Sequence, residues 1–309
     1  MTDTKELQAA EFSKNVNKEK KTAKFRFAAS QTILYIVLTI AAILSIFPFI
    51  FMIFSSFMTD EQYRNFTEIT DLIPQPWVFT NYVDAFQHKI NNTVSIGMAL
   101  GNTLIVALCS TLLGMVVLIL ASFAFARLEF KGKGAIFSLL LMTMMIPGEL
   151  FTITNYTTIF TMNLQGTLTA LIVPFMVSVY YIYLLRNNFK QIPEELYKAA
   201  KVDGVGDFKY LCKVMIPLAA PTLISIFILK IIAVWNSYIW PNLVNSASSA
   251  LLLSNWMATS GRPASGDSSL TIIPIKMAAA MILTIPLLIV FICFRKYIMR
   301  GVSKSGIKG

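Results

Sequence analysis

Six long apolar runs separated by polar connections organise this chain: Ile33 to Phe57, Ile96 to Ala126, Ala135 to Thr154, Thr167 to Leu185, Leu218 to Trp240 and Ile275 to Phe294. Crossing the hydrocarbon core of a bilayer takes roughly 20 apolar residues in a helix. In that medium every backbone N–H and C=O must find a partner, which a helix provides within the segment. Each run therefore predicts a membrane-spanning helix, and the expected fold is an all-α integral membrane protein of six spans. An even number of spans puts both ends of the chain on one side. Pro48, Pro174 and Pro286 fall inside runs, where they predict bends that shape packing or gating.

The polar stretches divide the rest. Residues 1–32 form a tail rich in Lys and Glu without apolar periodicity, expected to be disordered or a surface helix. The tail is too long and too polar to open a secretory signal, so the first run is expected to remain as an anchor. Residues 33–294 form the six-span domain, and 295–309 a second tail. The segment from Thr59 to Ser95 carries Pro74, Pro76, Trp77, Tyr82 and Phe86, whose aromatic rings are expected at the membrane interface or facing an external receptor.

A different pattern occupies residues 193–217, PEELYKAAKVDGVGDFKYLCKVMIP. Pro193 suits a first helical position and Glu194 and Glu195 favour the positive end of a helix. Leu196, Ala199 and Ala200 then share one face. Asp203-Gly204 ends that helix, because Gly adopts the left-handed conformation of a helix C-terminus. Gly206-Asp207 opens a second helix at Phe208 that stops near Pro217. A short helix, a Gly corner and a second helix make a small rigid knob suited to a groove on a partner.

Loop charges orient the molecule. Of the 26 Lys and Arg residues, 21 lie in the tail to Arg26, in Arg127 to Lys133, in Arg186 to Lys213 and from Arg295 onward. The opposite loops hold only Arg64, Lys89 and Arg262. By the positive-inside rule both termini and the 193–217 knob are cytoplasmic. Composition agrees with a membrane class, at 56% hydrophobic and 14% charged. The net charge of +10 then reflects topology and contact with anionic lipid, and no nucleic-acid partner is expected.

The knob resembles the EAA loop of permease subunits of bacterial ATP-binding-cassette importers, a pattern of E-A-A, three residues, Gly, nine residues and I-x-L-P. Here Lys198-Ala199-Ala200, Gly204 and Val214-Met215-Ile216-Pro217 keep the spacing, with Lys198 in place of the first Glu. Four other segments are similar to the carbohydrate-uptake permeases of the maltose-permease type: Phe47 to Phe57, Met144 to Glu149, Trp235 to Val244 and the ending from Arg300. The resemblance implies a subunit that docks its ATPase through Glu195, Leu196, Lys198, Ala199, Ala200, Asp203 and Gly204. It also implies a second homologous permease, two ATP-binding subunits and an extracytoplasmic solute-binding protein. A homodimeric pore is the less typical arrangement. ATP and Mg are expected on the partner subunits and no cofactor on this chain; no segment fits the G-x-x-x-x-G-K-S/T phosphate loop, and Gly132-Lys133-Gly134 lacks both the earlier Gly and the Ser or Thr.

Candidate solute contacts are polar groups at membrane depth. Glu149 follows Pro147 near the outer end of the third run, as a proton relay or as a paired carboxylate at a cavity rim. Lys230 lies within the fifth run, to snorkel, pair or line water. Asn236, Ser237 and Tyr238, with Asn155 and Tyr156, offer the amide, hydroxyl and aromatic mixture that holds sugars. Trp240 reads as part of an interfacial aromatic belt. Cys109, Cys212 and Cys293 predict packing, and His88 has no second His to share a metal, so no metal site is expected. The function expected is uptake of a sugar, oligosaccharide or related polyol by alternating access. An ion-coupled secondary transporter using Glu149 and Lys230 is the alternative, and a membrane enzyme or scaffold a more distant one.

Overall fold

The computed structural model describes residues 30–87, 89–90, 94–245, 249–259 and 272–303. Most of the tail at 1–32, His88, Arg262 and the last part of the ending from Arg300 lie outside the described residues. Within them the chain is mostly helical. The first helix, α1 (Ser30–Ser55), is followed by α2 (Asp60–Arg64), α3 (Thr80–Gln87) and a small antiparallel ribbon of β1 (Lys89–Ile90) and β2 (Val94–Ser95). Then come α4 (Ile96–Ala126), α5 (Lys133–Thr143), α6 (Leu150–Thr161), α7 (Thr169–Phe175) and α8 (Val179–Lys190). The rest is α9 (Glu194–Val202), α10 (Asp207–Leu218), α11 (Ala220–Trp235), α12 (Ile239–Asn245), α13 (Leu253–Thr259) and α14 (Ile273–Ser303).

Helix α4 is the central post, packed against α8, α11, α7 and α13. Its 31 residues reach about 46 Å. It buries small and hydroxyl residues, Ala99, Thr103, Ala107, Ser110, Thr111, Gly114 and Ser122, which let neighbouring backbones approach closely. Near its C-terminus, Ser122 Oγ donates to the Ile182 carbonyl of α8 at 3.1 Å. The two helices are also tied end to end. Arg127, at the end of α4, donates to the carbonyls of Phe189 in the last turn of α8 and of Ile192 just beyond it, and Arg186 of α8 donates to Phe125 O at 3.1 Å. The last carbonyls of a helix have no partner within it, and cations at that end also suit its dipole. The guanidinium of Arg186 lies 3.8 Å from the Phe137 ring centre, which brings α5 onto the same cluster.

At the other end of α4, the segment after α1 folds as a cap. Asn81 Nδ2 donates to Ser56 O and Met58 O at 2.9 and 2.8 Å, closing the end of α1. Phe57 packs its ring against Trp77, Phe79 and Tyr82, so these aromatics serve the cap itself. Trp256 of α13 is fully buried there and donates from Nε1 to Val94 O at 3.0 Å.

Among the described residues three helices pass the length and hydropathy requirement for crossing a membrane alone: α1, α4 and α14 up to Arg295. The expected spans at 96–126 and 275–294 are continuous helices, whereas three others are interrupted. The run at 135–154 divides into α5 and α6 around the Pro147-Gly148 turn. The run at 167–185 is α7 plus α8, bent by 44°, and the run at 218–240 is α11 joined to α10 through an 80° bend at Ala219, then α12. Proline explains two of the breaks: it lacks the N–H that would continue the ladder, and its ring crowds the preceding turn. Helix α14 continues past Arg295, where its apolar span ends, to Ser303.

Candidate functional site

Two places bring chemistry together, a polar knob at the end of the bundle where α4 stops and a cavity beside Lys230.

In the knob, Pro193 caps α9 from outside and Glu194 and Glu195 fill its first turn, with Lys201 in its last. Gly204 turns the chain at φ +70°, and Val205 N–H returns to Ala200 O at 2.8 Å. With Gly206 before it, Asp207 then opens α10. Asp207 is also the staple between the two helices. Its Oδ1 accepts from Tyr197 OH at 2.6 Å and pairs with Lys201 Nζ at 2.7 Å. Tyr197 stacks at 5.1 Å on the buried Tyr210. The Lys201 and Tyr197 hydrogen bonds hold the Asp207 carboxyl below its ordinary value, and Asp207 in turn holds the Lys201 ammonium above its own. Burial raises the Tyr197 phenol, with Asp207 adding to it.

Beneath the knob lies a core of Phe123, Phe125, Ile182, Phe189, Tyr210 and Met215, contributed by α4, α8 and α10. A π segment at Leu211–Met215 precedes Pro217, which cannot donate to the carbonyl four residues back. The outer face keeps Glu195, Leu196, Lys198, Ala199, Asp203 and Gly204 exposed, with Ala200 partly buried beneath them. Lys198 reaches Glu194 of its own helix at 3.2 Å, in a fully solvated pair. Two further apolar side chains of the knob are exposed and were not singled out from sequence: Val202 of α9, 88% exposed, and Phe208 of α10, 71% exposed. The signal for Val202 was its place three residues beyond Ala199, on the Leu196 side of the helix. For Phe208 it was an aromatic residue beside the Gly corner.

The cavity, about 360 Å³, opens among α4, α7, α11 and α12. Its construction follows from Pro174. In a continuous helix, residue 174 would donate to Ala170 O; Pro has no N–H, and Trp240 Nε1 donates there instead at 3.0 Å. The break after Phe175 frees further carbonyls, and Lys230 Nζ donates to Phe175 O at 3.2 Å and Met176 O at 3.4 Å. Tyr181 presents its ring 5.7 Å from the same ammonium. Gly114 makes room, since a Cβ there would stand 2.4 Å from Met176 O and 3.1 Å from Lys230 Nζ. Lys230 is 7% exposed, and among the described residues no carboxylate pairs with it.

The candidate solute residues do not converge on this cavity as a set. Ser237 lines it. Asn236 closes the end of α11 by donating to Ile232 O at 3.0 Å, and Tyr238 is exposed, its carbonyl accepting from Asn255. Asn155 is exposed on α6, and Tyr156 is half-buried against the Ile159 and Trp240 cluster. Glu149 is exposed at the Pro147 turn, apart from Lys230. Trp240 is not a member of an interfacial belt: it is 7% exposed, held by its bond to Ala170 O and by Phe175 at 6.0 Å between ring centres. Among the described residues no cluster of His, Cys, Asp or Glu could hold a metal ion.

Comparison with known proteins places this geometry. The family model described as binding-protein-dependent transport system inner membrane component matches residues 23–304. The sn-glycerol-3-phosphate transport system permease protein UgpE of Yersinia pestis bv. Antiqua (strain Antiqua) is 29% identical over 277 residues, covering 88% of this chain and 95% of the relative. The arabinooligosaccharides transport system permease protein AraQ of Halalkalibacterium halodurans is 28% identical over 269 residues, 87% of this chain and 93% of the relative. A solved bacterial ABC transporter involved in the import of the acidic polysaccharide alginate has a chain of the same fold. It has a TM-score of 0.76 and 21% identity, covering 86% of this chain and 95% of that one.

Proposed function

The chain belongs to the family of binding-protein-dependent transport system inner membrane components, and from that membership we propose that it is the permease subunit of an ATP-driven importer of a sugar, oligosaccharide or related polyol compound. It is a multi-pass inner-membrane transport subunit and not an enzyme. Relatives named for glycerol phosphate and arabinooligosaccharides support the carbohydrate and polyol class.

The observation that carries the reading is the knob. Gly204 and the Asp207 staple fix its shape, while Leu196, Ala199, Val202 and Phe208 stay uncovered. An apolar helical face held rigid outside the bundle fits a groove on another protein. In this reading Glu195, Leu196, Lys198, Ala199, Ala200, Asp203 and Gly204 dock an ATP-binding subunit, which carries the ATP and Mg. Closure of two such subunits moves α9, and α10 and α8 pass the displacement to the spans, which change the side on which the pore opens. The charge distribution supports six spans with both termini and the knob cytoplasmic; in this reading α5 with α6, α7 with α8 and α11 with α12 each serve as one interrupted crossing. A second homologous permease, two ATP-binding subunits and an extracytoplasmic solute-binding protein complete the assembly.

Transport in vesicles separates this from ion coupling. The assembly purified from its native membranes, reconstituted with ATP inside and solute with its binding protein outside, is expected to accumulate solute with ATP and to ignore a proton uncoupler. Accumulation without nucleotide that collapses with the uncoupler would establish the secondary transporter instead.

A further inference from the structure

The ammonium of Lys230 is a charge in the wrong place for a merely structural residue. Its two hydrogen bonds go to neutral carbonyls at the α7–α8 break and the Tyr181 ring lies 5.7 Å away, but within the described residues no carboxylate balances its unit charge. Taking an ammonium out of water without a counter-charge is expensive. The backbone carbonyls freed by Pro174 need only neutral donors, as Trp240 shows at Ala170 O. A cation filling that role also sets a positive potential across the adjoining cavity. Ser178, Ser237 and Tyr181, each able to donate from a hydroxyl, line the same space as Lys230 within otherwise mostly apolar walls. Trp240 and Phe175 supply aromatic surface beside them. A carboxylate or phosphate has acceptor oxygens for an ammonium and three hydroxyls, and charge-assisted hydrogen bonds are the stronger kind. The cavity's volume suits the charged end of a sugar or polyol and not a whole oligosaccharide.

We propose that the cavity beside Lys230 receives an anionic group, a carboxylate or phosphate, carried on the transported sugar or polyol. The inference rests on the permease reading and narrows its solute to acidic members of that class. Entry of the anion gives Lys230 the counter-charge that the fold withholds. Because the same ammonium holds the α7–α8 break, occupancy is felt where those two helices meet.

The test uses the assembled importer in vesicles of zwitterionic lipid, so that no lipid anion competes. Uptake of a uronic-acid disaccharide is compared with uptake of its neutral counterpart. Wild type is expected to favour the acidic probe, Lys230→Met to lose at least tenfold of that acidic-over-neutral preference whatever its effect on total uptake, and Lys230→Arg to keep the preference. Equal loss of both probes in Lys230→Met would make the lysine a structural latch only, and a wild-type preference for the neutral sugar would overturn the proposal without touching the permease reading. Quenching of the fluorescence that Trp240→Phe removes gives a readout independent of solute choice. The ratio of iodide to caesium quenching is expected to fall in Lys230→Met; a ratio that the substitution leaves unchanged contradicts a positive cavity.

Discussion

Two residues carry much of the local logic, and they differ in how visible they are from sequence. Gly204 stands at a left-handed corner between two short helices, and its neighbours in sequence announce it. Gly114 is required for a contact with Met176 O, sixty-two residues away, and nothing in the surrounding run of α4 marks it. Gly114→Ala is expected to push the α7–α8 break off α4, at a cost of about 1–3 kcal/mol for overpacking, visible as a lower melting midpoint of the detergent-solubilised chain. Lys230 was conspicuous as a charge in an apolar run, yet its partners were illegible because they are backbone carbonyls created by a break elsewhere. Asp207 adds a pH dependence. Its lowered carboxyl contributes stability above its ordinary value of 3.8 that is lost as pH falls through the folded value, and the raised Lys201 contributes below 10.5 and is lost as pH rises through its own. The difference in melting midpoint between wild type and Asp207→Asn is therefore expected to be flat from about pH 5 to 9 and to shrink in stronger acid. A difference that grows toward acid would exclude the staple.

Among the elements, uninterrupted runs were the readable ones. The boundaries of α4 at Ile96 and Ala126 coincide with those of its apolar run, since Ser95 caps it and the charge of Arg127 follows it. Runs that contain a break read the same in hydropathy as runs that do not, so the 44° and 80° bends left no trace beyond Pro174, Pro217 and Pro221. What a break demands is a set of donors from other helices, and Trp240 is the example: a residue that fits an interfacial belt by composition is instead the donor that completes α7. The pairing of α4 with α8 through Arg127 and Arg186 belongs to this scale as well. Both arginines sit where positive charge is expected at a cytoplasmic boundary, and both also close a neighbouring helix end. Arg127→Gln, which keeps polarity but loses the reach to two carbonyls, is expected to destabilise the pair by roughly 1–3 kcal/mol, read as an earlier thermal transition. An unchanged transition would mean that water replaces the guanidinium at no cost.

At the scale of the molecule, a rigid polar knob on one end of α4 and a mostly apolar cavity beside Lys230 are joined by α8 and α10, both of which pack into the core beneath the knob. The α7–α8 break connects that core to Lys230, so a pull on the knob and the occupancy of the cavity act on one continuous body of helices. The exposed apolar length of α1, none of whose most hydropathic window is buried in this chain, adds surface for lipid or a second permease. Docking of an ATPase on the knob is measured by affinity purification of the tagged chain from native membranes, wild type beside Gly204→Val, with mass spectrometry of what remains bound. At φ +70° a β-branched side chain is strained by about 1–3 kcal/mol, while open space around the site leaves packing untouched. Wild type is predicted to retain an ATP-binding subunit and a second permease, and Gly204→Val to lose the ATP-binding subunit alone. Recovery of the chain by itself, or an ATP-binding subunit held equally by both forms, would contradict the account.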